Sequence, residues 1–354
     1  MKHLYLLFAC AVAVALTSAC QSAPAPTAVS AQPAQPAQNQ TQVPPAAPTN
    51  TTAPVATKTN KVVYSQCDGK CDQPEKAHIW TSTADGGGAK KLIDRGLSPS
   101  FAPDGTQFVY EHAQDGIYIA SLDGAVNKKL VSGTGASVPE WSHDGKTIAF
   151  VERTTPGGAA APKRFFFFPL LPGATPIPTI PVPKLLRPLL QIGNSFVKTI
   201  LPDGTNLKTL TIGDHPTWSA DDTEIAYDTC QGSTCGIFRI KATGGTPVRV
   251  TDDVGAVPSW SRDGKKILYQ RDVDGIKHLF VVNVDGSGKT QLTKGPVLHV
   301  DGVWSLEGNT IFLRSPVLGS WDLLVMNADG TGLRKILGDV SPVAWEDEKL
   351  SLSK

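Results

Sequence analysis

The chain lacks a charge excess: 33 basic side chains face 32 acidic ones over 354 residues. That balance leaves no electrostatic footprint for nucleic acid. Methionine occurs twice, and uninterrupted helical apolar patterns are few, which argues against a helical protein. No Gly-x-Ser-x-Gly elbow, His-Glu-x-x-His pair or phosphate-binding loop occurs, so the common hydrolase, zinc-protease and nucleotide signatures are missing. The N-terminal apolar run, Leu4 to Leu16, is too short to remain in a bilayer. Glycine and proline, in contrast, are abundant at 33 and 28. They suit an all-β protein with many turns, a long extended segment, or both.

Met1-Lys2-His3 is a basic start, followed by the apolar run and then Thr17-Ser18-Ala19-Cys20. Small residues before a cysteine resemble the lipobox of bacterial lipoproteins, which makes residues 1–19 a signal peptide and Cys20 the acylated first residue. The plainer reading is a secretory signal cleaved near Ala19. Both take the mature chain out of the cytoplasm. Gln21 is not the Asp that resembles an inner-membrane retention signal, so the outer membrane or cell surface is the expected destination. Residues 20–60 form a tether rich in Pro, Ala and Thr; from Gln21 to Thr57 it carries no charge. Such a composition cannot bury a core and favours extended, solvated conformations.

Residues 61–354 are built from one repeated unit. Its aromatic anchors are Phe101, Trp141, Trp218, Trp260, Trp304 and Trp345, at intervals of 40, 77, 42, 44 and 41. A period near 42 signals a repeat array, and the long interval holds an insertion of about 35 residues. A turn follows each of the first five anchors, as in Arg262-Asp263-Gly264, and an apolar strand follows the turn, as in Ile267-Leu268-Tyr269. A third strand, a second Gly-containing turn and a closing strand complete the unit. Four short antiparallel strands (a to d) per unit is the pattern of a propeller blade. The segments Val62–Tyr64, His78–Trp80 and Lys91–Ile93 make a partial first unit without strand a. Val343-Ala344-Trp345, with Lys349 to Leu352 beyond, offers the missing piece. The expectation is an all-β, six-bladed β-propeller closed by its N- and C-terminal strands.

Pro139-Glu140-Trp141-Ser142 and Pro258-Ser259-Trp260-Ser261, followed by Asp-Gly-Lys and an apolar strand, resemble the TolB-type β-propeller repeat. The resemblance covers residues 61–354 and implies the fold. TolB carries an α/β domain before its propeller, which this chain is expected to lack, so the TolB transport role does not carry over. Propellers of this family serve as protein-binding scaffolds or as parts of enzymes.

The repeated aromatics are read as packing between blades, and the Asp-Gly pairs as turns rather than calcium ligands. In such a meander the a–b and c–d turns share one face, expected to be bland, and the b–c and d–a connections share the other. Cys67 and Cys71, and Cys230 and Cys235, fall in two b–c loops and are read as two local disulfides. The insertion, 153–195, is a b–c loop of the third blade. It carries Lys163, Arg164, Phe165, Phe166, Phe167, Phe168, Leu170 and Leu171 but no acidic residue, so it is a candidate contact loop for a protein or an anionic membrane. It could equally fold over the propeller as a cover. Glu140, Asp214, His215, His299 and Asp301 are placed at the channel mouth on the same face, as candidates for a polar ligand.

No catalytic set, metal or cofactor is called for. The sequence therefore points to a monomeric envelope lipoprotein, held to the membrane by its lipid, that binds a protein partner. A polysaccharide lyase or hydrolase, and a small-ligand sensor using the channel mouth, are the alternatives.

Overall fold

The computed structural model describes residues 61–67, 76–113, 115–154, 194–231, 233–341 and 349–353. Among them are six four-stranded antiparallel sheets. Blade 1 holds β1 (Lys61–Cys67), β2 (Ala77–Thr83) and β3 (Lys90–Asp94); blade 2 holds β4 (Gly96–Phe101), β5 (Gln107–His112), β6 (Gly116–Ser121) and β7 (Asn127–Ser132). Blade 3 is β8 (Ala136–Trp141), β9 (Ile148–Thr154), β10 (Asn194–Ile200) and β11 (Lys208–Ile212). Blade 4 is β12 (Asp214–Trp218), β13 (Glu224–Gln231), β14 (Thr234–Lys241) and β15 (Val248–Arg249). Blade 5 follows as β16 (Gly255–Trp260), β17 (Lys266–Val273), β18 (Ile276–Asn283) and β19 (Thr290–Gln291). Blade 6 is β20 (Val300–Trp304), β21 (Thr310–Ser315), β22 (Asp322–Asn327) and β23 (Arg334–Leu337); β24 (Ser351–Ser353) then returns to β1.

The second strand of each blade reads as a continuous apolar run because it is covered on both faces. In β5, Phe108, Val109 and Tyr110 are all fully buried, as are Ile267, Leu268 and Tyr269 in β17. Blades stacked face to face leave no solvent side to the middle of the sheet, so the usual polar alternation disappears. The core is accordingly six apolar layers, one between each pair of neighbours. Trp141 joins Val109 and Ile117 of blade 2, and Trp260 joins Ala226 and Ile237 of blade 4. The sixth layer sets Phe312, Leu323 and Val325 of blade 6 against Val62, Tyr64 and Leu352 of blade 1. The ring is closed. The anchors also satisfy their indole N–H groups: Trp141 and Trp260 donate to Gly145 O and Gly264 O of their own turns, both at 3.1 Å.

Closure uses a different segment from the one the aromatic spacing suggests. The strand that completes blade 1 is β24, paired Lys61↔Ser353, Val62↔Leu352 and Val63↔Ser351. Leu352 fills the slot that Trp141 or Trp304 fills elsewhere, while Trp345 lies outside the described residues. The register is corroborated by a repeated side-chain bond. Ser351 Oγ accepts the Phe101 N–H at 3.0 Å, as Ser100 Oγ accepts the Trp141 N–H at 3.1 Å. The slot needs apolar volume, which leucine supplies, so the Lys349–Leu352 part of the expected closing piece is the part that pairs with β1.

At this seam lies the largest fully buried side chain, Arg314. Its Nε donates to Asp301 Oδ2 at 2.6 Å within blade 6, and its Nη1 donates to Ser65 O at 2.8 Å in blade 1. Both partners of the ion pair are wholly excluded from solvent. Removing one member of such a pair strands the other charge, at a cost of about 3–5 kcal/mol. Arg314→Ala is therefore expected to lower unfolding stability in urea by that amount. Arg314→Met combined with Asp301→Asn, which keeps a residue suited to the left-handed backbone at 301, should recover part of the loss.

Candidate functional site

The innermost strands share a backbone feature with no glycine in it. Three residues before each anchor the chain enters the left-handed region: Ser98 (φ 45), Val138 (φ 48), His215 (φ 47), Val257 (φ 50) and Asp301 (φ 56). The register of every one of these strands slips at that point. Left-handed valine is strained, and four of the five residues precede a proline, which disfavours that geometry further. What the bulge provides is aim. The Val257 N–H donates to Asp228 Oδ1 at 3.1 Å and the Asp301 N–H to Gln270 Oε1 at 3.4 Å, linking each blade to the previous one. Space for the turn comes from Gly213 and Gly255, where a Cβ would sit 2.2 Å and 2.6 Å from the rings of Tyr227 and Tyr269.

The five residues expected at one channel mouth fall in four places. Asp214 and His215 are together at the b–c/d–a end of blade 4. Arg153 Nη2 donates to both Asp214 oxygens at 2.7 and 2.8 Å and Nη1 to Ser137 Oγ at 2.5 Å, tying blade 3 to blade 4. His215 Nδ1 lies 2.7 Å from Asp228 Oδ1, and its side chain is 6% exposed. A histidine held this tightly positions its neighbours and is not offered to solvent.

Glu140 lies along the inner strands, nearer the a–b turn than the Asp214 side chain but within reach of the backbone at His215. It pairs with Ala149 beside the a–b turn. Its Oε1 accepts from Thr217 Oγ1 at 2.9 Å and from the Trp218 N–H at 3.0 Å, and its Oε2 accepts from Lys349 Nζ at 2.8 Å. Lys349 belongs to the terminal segment of blade 1, so its side chain crosses the channel. It also donates to Pro216 O and, at 3.4 Å, to His215 O.

Arg262 of the blade 5 turn is close enough to feel Glu140, Asp222 and Glu307; burial pulls its pKa down and these carboxylates oppose that. Asp222 takes the turn position that glycine holds in other blades, with φ 58. Its carboxylate accepts from the His143 N–H at 2.9 Å and the Asp144 N–H at 2.7 Å of the neighbouring turn. The face expected to be bland therefore carries a charged centre. Asp221-Asp222 in place of Asp-Gly was the signal for it.

His299 and Asp301 leave the channel set altogether. Asp301 is sealed against Arg314. His299 is buried between blades 5 and 6, stacked on His278 with ring centroids 5.7 Å apart, and its Nδ1 is 3.0 Å from Val297 O. His278 was not foreseen, because only the fold brings β18 beside the entry to β20. Among the described residues no three His, Cys, Asp or Glu side chains converge as a metal site. Cys230 and Cys235 form a disulfide across the β13–β14 hairpin. Cys67 is disulfide-bonded, and its expected partner Cys71 lies outside the described residues. Cys20, Lys163, Arg164, Phe165, Phe166, Phe167, Phe168, Leu170 and Leu171 lie outside them too.

No protein-family model and no curated protein sequence matches the chain. Solved structures do. TolB from Acinetobacter baumannii superposes with TM-score 0.62 at 18% identity, over 84% of this chain and 67% of that one. A TolB protein from Agrobacterium tumefaciens gives 0.55 at 15% identity, over 83% and 96%. The fold is that of a TolB-type propeller. A chain of a nidogen/laminin complex also gives 0.55, at 10% identity over 83% and 98%, so the architecture is shared beyond TolB.

The buried histidines give this TolB-type propeller a defined pH response. Burial, reinforced by His278, holds His299 down at about 4, and burial lowers His278 as well. Between about pH 6.5 and 4 the unfolded chain binds protons that the folded one refuses, so the contribution of His299 is complete above that window and lost on acidification. Urea unfolding across the window is expected to show a loss approaching about 3 kcal/mol. The slope should flatten in His299→Gln.

Proposed function

We propose that this chain is an extracytoplasmic envelope lipoprotein, anchored through Cys20 and a tether over 20–60, whose propeller binds a protein partner on its b–c/d–a face. The observation that carries this reading is the asymmetry of the two faces. Every described a–b connection is a tight turn, such as 219–223 or 261–265. On the other face, β9 and β10 are joined through residues 155–193, and the next blade ends in the disulfide-bonded β13–β14 hairpin. Long connections on one side of a rigid scaffold are where binding residues concentrate.

Strand direction supports the arrangement. Lys61 begins β1 at the a–b end, paired with Thr83 and Ser353, so the tether joins the face opposite the long loops. The enzyme alternative asks His215 and His299 to converge, and they occupy separate blade interfaces.

The test is a pull-down from native envelope with the soluble domain, with and without residues 156–190. Deletion is expected to leave the unfolding midpoint unchanged and to reduce partner recovery to background. Equal recovery by both forms would discard the loop as the contact.

A further inference from the structure

We infer that the channel contains a binding site for a primary ammonium group, which Lys349 fills in cis. The site is a tripod of oxygens: Glu140 Oε2, Pro216 O and His215 O, all accepting from Lys349 Nζ. Three acceptors match the three donors of an ammonium. A guanidinium offers a planar fork instead, and a hard divalent cation asks for six or more oxygens, so neither suits this set.

The tripod is built without Lys349. Glu140 is held by Thr217 Oγ1 and the Trp218 N–H, and the carbonyls follow from the left-handed bulge at His215. All of these belong to blades 3 and 4. The occupant arrives from blade 1, on a segment whose pairing with β1 covers three residues. Without Lys349, the Glu140 carboxylate keeps its Thr217 and Trp218 donors while Oε2 loses its ammonium.

With Lys349 in place its side chain is 12% exposed and that of Glu140 is 20% exposed. A second amine has no room beside Lys349 and must replace it. The ligand class is an unbranched primary alkylamine, free or as a lysine side chain, entering along the track of the Lys349 stem. Occupancy is thereby linked to the closing segment: an amine that takes the tripod releases Lys349.

The experiment is thermal unfolding of the full chain and of Lys349→Ala, each with n-butylammonium, tetramethylammonium or potassium chloride at equal ionic strength. Butylammonium alone is expected to raise the melting temperature of Lys349→Ala by a few degrees, through binding to the folded state, and to leave the parent chain unmoved. Adding Glu140→Gln should abolish the rise. An equal response to all three salts, or none, overturns the proposal.

Should Lys349→Ala not fold, the parent chain carries the test. Acylation mapped by mass spectrometry is expected to be about tenfold or more slower at Lys349 than at the exposed Lys146, as suits a buried, paired amine. Glu140→Gln is expected to erase that protection. Equal rates in the parent chain, or protection that survives Glu140→Gln, would refute it.

Discussion

Everything in the ring depends on its seam. Six apolar layers hold the blades together, but five are joined by continuous chain and the sixth only by β24 and the side chains around it. Arg314 sits there as a charge wholly removed from water, tolerable because Asp301 neutralises it and Ser65 O accepts one of its donors. A buried ion pair adds little net stability over an apolar pair of the same volume, yet either half alone is costly. Its effect is specification: blade 6 accepts blade 1 only in the register that presents Ser65 O. Gln66 Nε2, donating to Asp339 O at 2.7 Å, reinforces the same register.

The strained residues of the inner strands form a second system with a related purpose. The bulges at Val257 and Asp301 turn an N–H toward the previous blade, and the one at His215 turns a carbonyl toward the channel. Strain of order 1–3 kcal/mol at each of five positions persists only where surrounding contacts over-determine it. Here those contacts are Asp228 and Gln270 on the N–H side and Lys349 on the carbonyl side. The bulge thus couples inter-blade bonding to the lining of the channel.

Most of the architecture was legible because a repeat states its own period. Trp141, Trp218, Trp260 and Trp304, each followed by a turn and an apolar strand, fix blade length and strand order without reference to packing. The failures have a common origin in slots that accept more than one residue. Leu352 does the work of tryptophan, so the aromatic period alone does not mark β24 within the closing segment. Asp222 does the work of glycine while bonding the adjacent turn, so a charged face was read as bland. Glu140 stands one residue before its anchor and Asp214 four before its own, so the two side chains sit at different depths along the inner strands, which a shared position before an anchor does not reveal. His299 was assigned to the channel although its partner, His278, comes from another blade's third strand.

Local chemistry and spacing determined the fold class, the blade number, the face on which the long loops lie and the pairing of Cys230 with Cys235, since each follows from patterns within about one repeat. Tertiary structure alone decided which terminal residues close the ring, that Arg314 and Asp301 are sealed inside it, and that Lys349 reaches across the channel to Glu140. Those contacts join residues as far apart as Lys61 and Ser353, between blades whose mutual rotation no linear pattern encodes. A side chain's role in a ring is set by which neighbour the closure brings to it, and closure is a property of all six interfaces together.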